Sequence, residues 1–519
     1  MNEMETRAAA LVQDDTLGYD QKVRRLAALA TESLPPPILS EACSEALSKR
    51  VVCDLYEGNA PYTARYILPD YDKALRQGLQ HLELPPPQDL DDALAFLQIM
   101  YAHVPSVTTY PVYLGDLDKV LERFVAPGGS DAALTDEQLD RKLRRFWIGL
   151  DRMLPDAFVH LDLGPHDSRI TRSIFRVERS LRQAVPNITL KVDPAITPDD
   201  LIEDGVRTVF VTGKPHFVNH PMMVADHGEQ YAAVSCYNSL KIGGGAHTLV
   251  RLNLKEVARR HTGDTDAFLA TTLPHYVELT AELAEARIRS LVEQQRFFQS
   301  HWLATEGFID INRFSAMFGI FGLAECVNLL MEHEGMAHAR YGHDAGADAL
   351  SRRVVERVAE LVAARPMPYC EGGQGRCYLH SQGGIDLDDD VTAGTRIPVG
   401  DEPDMLQHIT TCAPHHRLFA AGISDIFHVD DTVERNPQAM VDIIRGAFAT
   451  GMRDFTFNLD NNEFVRITGY LVRKSDLANL AAGSSARHGS DYLAAGSEEA
   501  YHLTQRAVKR IGCHERTPR

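Results

Sequence analysis

The sequence lacks paired cysteines. Its eight cysteines are scattered, with no Cys-x-x-Cys pair among them: Cys43, Cys53, Cys236, Cys326, Cys370, Cys377, Cys412 and Cys513. This spacing argues against a zinc ribbon and against an iron–sulfur cluster. Because no secretion signal is recognisable, a disulfide framework is not expected either. We therefore predict a chain without a bound metal or disulfide bonds.

Positive charge and long apolar runs are also scarce. There are 53 Lys and Arg residues against 72 Asp and Glu, a net charge of −19. Such a field repels polyanions, so no nucleic-acid partner is expected. The longest near-apolar stretch, Met317–Met331, contains Glu325 and is too short to span a membrane. The acidic start of the chain does not resemble a signal peptide, so we expect a cytoplasmic protein without a membrane partner.

Helical and strand-like patterns alternate along the chain. Apolar spacing and capping residues predict four helices, at Thr135–Leu154, Val277–Leu291, Leu350–Leu361 and Asn436–Gly451. Four short runs are predicted as strands: Thr208–Thr212, Tyr231–Val234, Thr248–Leu252 and Asp454–Leu459. This alternation predicts an α/β fold. Helical patterns dominate residues 1–104, which we expect to pack as an N-terminal region on a domain formed by residues 105–519.

One glycine near the C-terminus stands in the segment Arg466-Ile467-Thr468-Gly469-Tyr470. A predicted strand and the turn signal Asp460-Asn461-Asn462 precede it, so Gly469 is predicted to lie on a loop. A loop glycine usually supplies only a backbone conformation with positive φ. The pattern Arg-[Val/Ile]-x-Gly-[Tyr/Phe], however, resembles the radical-bearing loop of the glycyl radical enzymes.

Chemistry explains why such a loop uses glycine. Loss of a hydrogen atom from the α-carbon leaves a radical between an electron-donating amide nitrogen and an electron-withdrawing carbonyl. Without a Cβ, this carbon flattens easily and is open to hydrogen transfer. The resemblance implies that a radical on Gly469 is the protein's own cofactor, which the fold shields from oxygen and water.

A stored glycyl radical needs a thiol that carries the unpaired electron to the substrate, and Cys236 is the best candidate. It follows the predicted strand Tyr231–Val234 and begins a loop that leads to Gly243–Gly245. Its neighbours are apolar or neutral, whereas a thiolate nucleophile would have Lys, Arg or His beside it. This setting favours hydrogen-atom transfer, and a buried, inert cysteine is the alternative.

Longer segments resemble known families. Cys236-Tyr-Asn-Ser-Leu with the following Gly-Gly-Gly and Leu-Val-Arg-Leu-Asn-Leu, and Phe318-Gly-Ile-Phe-Gly-Leu-Ala-Glu325, resemble anaerobic ribonucleotide reductases. Other stretches resemble the YjjI family of glycyl radical enzymes: Asp54-Leu-Tyr-Glu-Gly58, Arg65-Tyr-Ile-Leu-Pro-Asp-Tyr71, His103-Val-Pro-Ser-Val107, Pro-Val-Tyr-Leu-Gly115, Gly400-Asp-Glu-Pro-Asp404, Gly422-Ile-Ser-Asp425 and Arg466-Ile-Thr-Gly-Tyr470.

The resemblance implies a ten-stranded α/β barrel of two five-stranded half-sheets, surrounded by helices. Its centre would bring the Cys236 loop and the radical loop, near 460–475, together. It also implies a homodimer and a separate radical-SAM activating enzyme, which holds S-adenosylmethionine and an iron–sulfur cluster. The chain lacks both the four zinc-binding cysteines of the reductases and the Gly-Cys-Val-Glu signature of glycyl radical lyases and dehydratases. The reaction therefore stays open.

Four polar residues are candidates for binding the substrate. Glu402 could act as a general acid or base, although a carboxylate between Gly and Pro more often shapes a turn or caps a helix. His415 and His416 could position a hydroxyl or carboxylate, although packing is the commoner role of such a pair. Asn253 follows in the segment that resembles the reductases.

Two other functions stay possible. The barrel could be a non-catalytic scaffold, or the chain could be a hydrolase or transferase without a radical. In the second case a base such as His247 would activate Cys236, and activity would survive the substitution Gly469→Ala. The favoured hypothesis is an oxygen-sensitive glycyl radical enzyme in which a Cys236 thiyl radical abstracts hydrogen from a small polar molecule.

Overall fold

The chain folds into alternating helices and strands, as its patterns predict. The computed structural model describes residues 2–15, 17, 19–31, 34–54, 62–105, 113–153, 159–234, 237–381, 391–460, 462–466 and 471–482. The helices are α1 (Glu3–Gln13), α2 (Tyr19–Thr31), α3 (Glu41–Ser48), α4 (Tyr71–Gln77), α5 (Leu90–Ala102), α6 (Leu117–Val125), α7 (Asp136–Arg152), α8 (Arg169–Leu181), α9 (Asp199–Thr212), α10 (His220–His227), α11 (Leu254–Arg259), α12 (Thr265–Ala267), α13 (Leu273–Arg289), α14 (Phe297–Ser300), α15 (Trp302–Thr305), α16 (Leu323–His333), α17 (Ala345–Ala364), α18 (Met405–His416), α19 (Pro437–Thr450) and α20 (Lys474–Ala481). The strands are β1 (Val52–Asp54), β2 (Tyr66–Leu68), β3 (His160–Leu163), β4 (Asn187–Val192), β5 (His216–Asn219), β6 (Tyr231–Val234), β7 (Asn238–Lys241), β8 (Gly244–Asn253), β9 (Phe314–Phe321), β10 (Cys377–Ser381), β11 (Asp425–Val429), β12 (Asp454–Leu459), β13 (Phe464–Arg466) and β14 (Leu471–Arg473).

Helix ends follow the capping signals of the sequence. At the start of α7, the Thr135 side chain accepts a hydrogen bond from the Gln138 N–H, and the Gln138 side chain reaches back to the Thr135 N–H. This capping box satisfies two backbone donors that the helix leaves open. Helix α19 begins with Pro437 and ends at Gly451, whose φ of 113° favours glycine. The four predicted helices are confirmed.

One of the four predicted strands is wrong. Thr208–Thr212 forms the end of α9, although its β-branched residues favour a strand. Four apolar residues at helical spacing form the buried face of this helix: Leu201, Ile202, Val206 and Val209. The face packs against α8 and α19, and this tertiary burial outweighs the local propensity. The other three predicted strands are confirmed as β6, part of β8, and β12.

Two sheets of five strands each form the frame of the barrel. In the first, β8, β9 and β10 run parallel, while β1 and β2 pair with successive parts of β8 in antiparallel register. This sheet is therefore four strands wide. The second has the order β11-β12-β5-β4-β3, with β12 and β5 antiparallel and the other pairs parallel. The predicted architecture of two five-stranded half-sheets is confirmed.

Short bridges extend the two sheets towards each other. His380 of β10 forms a parallel bridge with Gly422, just before β11. At the far edge, Asp116 forms a parallel bridge with Asp162 of β3. The Tyr71 hydroxyl donates to the Tyr113 carbonyl at 3.0 Å, which ties this edge to the helix that follows β2.

The second sheet has one apolar and one polar face. Its apolar face packs against the surrounding helices through buried residues that include Leu161, Ile188, Phe217, Phe455 and Phe457. The alternate positions carry buried polar side chains: His160, Asp162, Thr189, Lys191, His216, Asp454 and Thr456. Since successive side chains of a strand point to opposite faces, this polar set faces the barrel interior.

The N-terminal part of the chain contributes to the first sheet as well as to helices. Residues 1–104 contain α1 to α5, and β1 and β2 of the same part pair with β8. Helix α3 packs on α13. A boundary at residue 104 stays a prediction. Within the described ranges, the helices are too short or too polar to cross a bilayer.

Candidate active site

A buried hairpin of β6 and β7 lies between the two sheets. Its strands pair up to Val234 and Asn238, so Cys236 belongs to the connection between them and lies outside the described residues. Strand β6 contacts β3, and β7 contacts β8. The Ser239 N–H donates to the Ala421 carbonyl at 2.7 Å. The hairpin is thus held from both sides inside the barrel.

Charged side chains of the barrel wall hold the base of this hairpin. The Lys191 ammonium donates to the Tyr231 carbonyl at 2.9 Å and lies 4.1 Å from the centre of the Tyr231 ring. One carboxylate oxygen of Asp162 accepts a hydrogen bond from the Ala233 N–H at 2.9 Å. Because Lys191 and Asp162 are fully buried, these contacts are not weakened by solvent.

The buried ammonium lies between two carboxyl groups. Lys191 Nζ is 2.6 Å from Asp116 Oδ1 and 3.5 Å from Asp162 Oδ2. Burial raises the pKa of Asp162 to about 8. Burial acts on Asp116 too, but Lys191 and Lys119 outweigh it and hold the pKa of that carboxyl below its ordinary value. Asp116 is therefore the stronger acid of the two and the main counter-charge of Lys191.

The tip of the hairpin lies against the polar face of the second sheet. Tyr237, the residue after Cys236, has a positive φ of 64°, and its ring centre is 4.5 Å from that of His216 on β5. The Tyr237 backbone also lies close to Gly422. A Cβ on Gly422 would lie 2.0 Å from the Tyr237 carbonyl oxygen, so only glycine leaves enough space there. The chain next to Cys236 is thus fixed against β5 and the segment before β11.

The predicted radical loop is the connection of a second hairpin. Strands β13 and β14 pair up to Arg466 and Leu471, so Gly469 lies in the residues between them, outside the described part of the chain. Asn458 of β12 clamps the root of this hairpin: its Oδ1 accepts from the Arg466 N–H at 3.0 Å, and its Nδ2 donates to the Arg466 carbonyl at 2.8 Å. The buried Arg466 guanidinium donates to Asn187 Oδ1 at 3.2 Å.

A cluster of buried polar residues lies beside both hairpins. His216 Nδ1 is 3.3 Å from Asp454 Oδ2, and the His216 and His160 ring centres are 5.1 Å apart. Burial, with a contribution from the Arg466 charge, holds the pKa of both histidines well below the ordinary value. Burial also raises the pKa of Asp454 to about 8. At neutral pH the cluster therefore consists of two neutral imidazoles and a protonated carboxyl.

Three polar atoms of this cluster lack a hydrogen-bond partner among the described residues: His160 Nδ1, His216 Nε2 and Asp454 Oδ1. Buried polar groups are rarely left unpaired, because each such group costs about 1–3 kcal/mol. These atoms are therefore suited to bind a polar group that enters the barrel. We take the three side chains as the candidate active site.

The four predicted substrate-binding residues have partners within the protein. Glu402 lies in the turn before α18, where its Oε2 accepts from the Gly400 N–H at 2.6 Å. Asn253 caps α11 by accepting from the Glu256 N–H at 3.2 Å. His415 Nε2 is 3.2 Å from the Ser351 hydroxyl, and His416 Nε2 is 2.7 Å from Asp425 Oδ2. A role for the four in substrate binding stays a prediction.

His247, the alternative base, has a partner on one ring nitrogen, while its Nδ1 is buried without a hydrogen-bond partner among the described residues. Its Nε2 donates to the Tyr369 carbonyl at 2.7 Å, and its ring packs against Phe298 and Phe314. Burial lowers the pKa of His247 to about 4. Because Cys236 lies outside the described residues, the role of His247 as a base stays a prediction.

The sequence-based reasoning missed His160, His216 and Asp454. The signal was present, since polar and apolar residues alternate in His160–Leu163 and in Asn187–Val192. Such alternation usually describes a sheet with one face in water. In a barrel the polar face turns inwards instead, which only the arrangement of the two sheets around a common interior reveals.

Comparison with known proteins places this geometry in a family. Residues 17–509 match the family model described as "Glycyl radical enzyme YjjI-like". The chain is 47% identical over 486 residues to YjjI of Escherichia coli, which covers 93% of this chain and 92% of that protein. A Haemophilus influenzae protein is 37% identical over 505 residues, with 96% of each chain covered.

Solved structures with the same fold include three relevant proteins. The anaerobic ribonucleotide reductase from Thermotoga maritima in complex with dATP and CTP matches with a TM-score of 0.69 at 12% identity, over 96% of this chain and 94% of the other. Hydroxyproline dehydratase from Clostridioides difficile matches with 0.60 at 12% identity, over 91% and 76%. A glycyl radical enzyme from Archaeoglobus fulgidus matches with 0.61 at 13% identity, over 91% and 75%. At these identities the likeness concerns the fold alone.

Proposed function

Because the chain belongs to the YjjI-like glycyl radical enzyme family, we propose that it stores a radical on Gly469 and uses Cys236 to transfer it to a substrate. An activating enzyme first removes one hydrogen atom from the Gly469 α-carbon. The glycyl radical then takes the hydrogen atom of the Cys236 thiol, which leaves a thiyl radical. The thiyl radical takes a hydrogen atom from a C–H bond of the substrate, and the product radical recovers it from the thiol.

The position of the two hairpin roots carries this proposal. Tyr237, next to Cys236, contacts His216, and His216 lies beside Asp454 at the start of β12. Asn458 on the same strand holds Arg466, three residues before Gly469. Both hairpin roots therefore contact the same buried, polar wall of the barrel, as a relay between Cys236 and Gly469 requires.

The protonation states of the cluster suit this chemistry. The pKa of His216 lies well below its ordinary value because of burial, so the neutral ring is a weak base and does not draw a proton from the thiol. A neutral thiol keeps the S–H bond that hydrogen-atom transfer uses, whereas a thiolate would act as a nucleophile. Water is excluded, since the cluster is fully buried.

The open atoms of the cluster favour a small polar substrate. A protonated Asp454 can donate a hydrogen bond, and a neutral imidazole offers one donor and one acceptor. A molecule with hydroxyl or carbonyl groups satisfies such a set. Cleavage, dehydration, reduction and isomerisation are all compatible with this recognition. The activating partner is a radical-SAM enzyme with its own iron–sulfur cluster, and we expect a homodimer.

Electron paramagnetic resonance on the anaerobically activated protein tests the relay without a known substrate. The hydrogen that remains on the Gly469 α-carbon splits the radical signal into a doublet. In D₂O the Cys236 thiol carries deuterium and delivers it to Gly469, so the doublet collapses to a narrower signal. Cys236→Ser should keep the doublet in D₂O, while the control Cys326→Ser, in the buried helix α16, should behave like the unchanged protein.

Two results would contradict the proposal. The first is the absence of a radical signal although the activating enzyme is shown to cleave S-adenosylmethionine. The second is a doublet that collapses equally fast in the Cys236→Ser variant, because another thiol would then carry the exchange.

A further inference from the structure

A second cluster of reactive side chains lies outside the barrel interior, between α18 and β11. His408 and Cys412 are one turn apart on α18, and Asp425 is the first residue of β11. All three are buried, and one ligand atom from each lies within 4.8 Å of the other two. We propose that these three side chains bind a zinc ion that fastens α18 to the barrel.

The spacing of two of the ligand atoms fits a tetrahedral zinc ion. Zinc binds imidazole nitrogen and carboxylate oxygen at about 2.0–2.1 Å, so two such ligands of a tetrahedral ion are about 3.3 Å apart. His408 Nε2 lies 3.3 Å from Asp425 Oδ1. Zinc–sulfur bonds of about 2.3 Å place a thiolate about 3.5 Å from the other ligands. The Cys412 sulfur lies within 4.8 Å of both other ligand atoms, so it must move closer to them when the ion binds.

His416 orients the carboxylate and is not itself a ligand. Its Nε2 lies 2.7 Å from Asp425 Oδ2, and its Nδ1 accepts a hydrogen bond from the Arg453 N–H at 3.0 Å. The second contact requires the ring proton on Nε2, so Nε2 donates to Asp425 and has no lone pair for a metal. Such outer contacts hold the ligands of metal sites in position. Asp425 Oδ1 stays directed at His408.

Hydrogen bonding accounts for the position of the His416 side chain better than for the positions of His408 and Cys412. A charge-assisted N–H···O bond is about 2.7–2.9 Å long, which matches His416 and not the 3.3 Å of His408. The Cys412 sulfur has a contact of 3.8 Å with the Tyr341 hydroxyl. This hydroxyl already donates to the Thr395 carbonyl at 2.8 Å. The sulfur therefore has one weak hydrogen-bond partner among the described residues, and a metal ion would offer it a stronger contact.

The donor set selects the type of metal. One thiolate, one imidazole and one carboxylate suit zinc, whereas magnesium and calcium prefer oxygen ligands alone. Three protein ligands leave the fourth position of a tetrahedral ion to a small molecule such as water, and the burial of the three side chains keeps the site away from bulk solvent. Asp425 pairs in register with Phe455 on the helix-facing side of the sheet, so the site is separate from the His216 cluster. The sequence analysis predicted no bound metal because no two cysteines have the spacing of a metal site. A site formed by His408, Cys412 four residues later and the distant Asp425 does not show that spacing.

Metal binding to the full-length protein tests this inference independently of the radical chemistry. After equilibration with zinc and removal of free ions, we expect one zinc per chain. With Co²⁺ instead, coordination by Cys412 should produce a thiolate-to-cobalt charge-transfer band in the near ultraviolet. Cys412→Ser should abolish this band and weaken zinc binding at least tenfold, and His408→Gln should weaken zinc binding similarly. The control Cys326→Ser should leave both signals unchanged.

Two results would overturn the site. One is the lack of a thiolate–cobalt band in the unchanged protein, a measurement that needs no variant and so does not depend on how well a variant folds. The other is a Cys412→Ser protein, folded by circular dichroism, that binds zinc with unchanged affinity. Neither result bears on the proposed relay, whose test follows the Gly469 radical.

Discussion

The ring centres of Tyr237 and His216 are 4.5 Å apart. This contact joins the hairpin that contains Cys236 to β5, the strand that pairs with the beginning of β12. Since β12 also holds the root of the hairpin that contains Gly469, a single stretch of the barrel wall supports both predicted radical residues. A relay between them depends on this wall, and the following predictions test it.

Oxygen should cut the activated protein at one place. A glycyl radical reacts with oxygen at the α-carbon and the chain breaks there, so air should yield a fragment that ends at Gly469 and lacks the remaining C-terminal residues. Mass spectrometry of the chain before and after exposure measures this. Gly469→Ala should stay intact under the same treatment. An activated protein that keeps its full mass in air would exclude a radical at Gly469.

Loss of the Lys191 ammonium should slow hydrogen transfer between Cys236 and Gly469 more than it reduces formation of the glycyl radical. Lys191→Met removes the hydrogen bond to the Tyr231 carbonyl, which loosens the base of the Cys236 hairpin. We expect the glycyl signal to form, while the collapse of its doublet in D₂O slows at least tenfold.

Lys214→Met is matched in burial, because Lys214 is fully buried and lies 3.1 Å from Glu178 Oε1, outside the Cys236 hairpin. Since its neighbour Gly213 accepts a hydrogen bond from Arg466 at the root of the Gly469 hairpin, the intensity of the glycyl signal is compared in the two variants as well. Each substitution removes one partner of a buried ion pair and should cost about 3–5 kcal/mol in the free energy of unfolding, measured by urea titration. Equal exchange rates in the two variants would show that Lys191 has no positioning role.

Gly422 should tolerate no side chain. Its φ is 130°, and a Cβ there would lie 2.0 Å from the Tyr237 carbonyl oxygen, so Gly422→Ala must push the tip of the Cys236 hairpin away. We expect slower deuterium exchange at the glycyl radical, as for Lys191→Met. Gly446→Ala is the control, because a Cβ at that position in α19 meets nothing within 4 Å. It should be neutral, or stabilising by about 0.5–1 kcal/mol. Normal exchange in Gly422→Ala would refute the packing described here.

The free energy of unfolding should fall as the pH rises from about 4 to about 8, in part because of the raised pKa of Asp454. Burial raises the pKa of this carboxyl to about 8, above the value of about 3.9 in an unfolded chain. Between about pH 4 and pH 8 the folded state therefore holds a proton that the unfolded state releases. The contribution is full below about pH 4 and is lost as the pH rises to about 8, by up to about 1.4 kcal/mol per pH unit.

Asp454→Asn removes this titration and should reduce the slope of the free energy of unfolding against pH between pH 5 and pH 8 by up to about 1.4 kcal/mol per pH unit, while Asp162, whose pKa is also raised, keeps its own contribution. Urea titrations at several pH values measure it. The exposed Asp442 of α19 serves as control, since Asp442→Asn should keep the original slope. An unchanged slope in Asp454→Asn would mean that this carboxyl is ionised in the folded protein.

Local sequence signals predicted many of the elements because their causes are local. The capping box of Thr135 and Gln138 and the Pro437 and Gly451 signals act within a few residues of the helix ends that they define. The end of α9 shows the limit of this reasoning. There the run Thr208–Thr212 favours a strand by composition, and packing between two other helices makes it a helix.

The candidate active site was less accessible to such reasoning. His216 and Asp454 are 238 positions apart in the chain, and no local pattern relates them. Alternation of polar and apolar residues predicted neither that the polar faces turn inwards nor which residues meet there. The same is true of His408, Cys412 and Asp425, since Asp425 reaches the other two only because β11 returns beside α18.

The sequence by itself determined the family, the α/β class and the two residues proposed to carry the radical, because these depend on residue type, periodicity and motif within short segments. Tertiary structure alone decided which polar side chains surround the two hairpins and which protons they hold. Burial shifts the pKa of Asp454 and of His216 in opposite directions, so that both are neutral. Burial is a property of the tertiary structure, and it arises only when strands that are distant in sequence come together around the same interior.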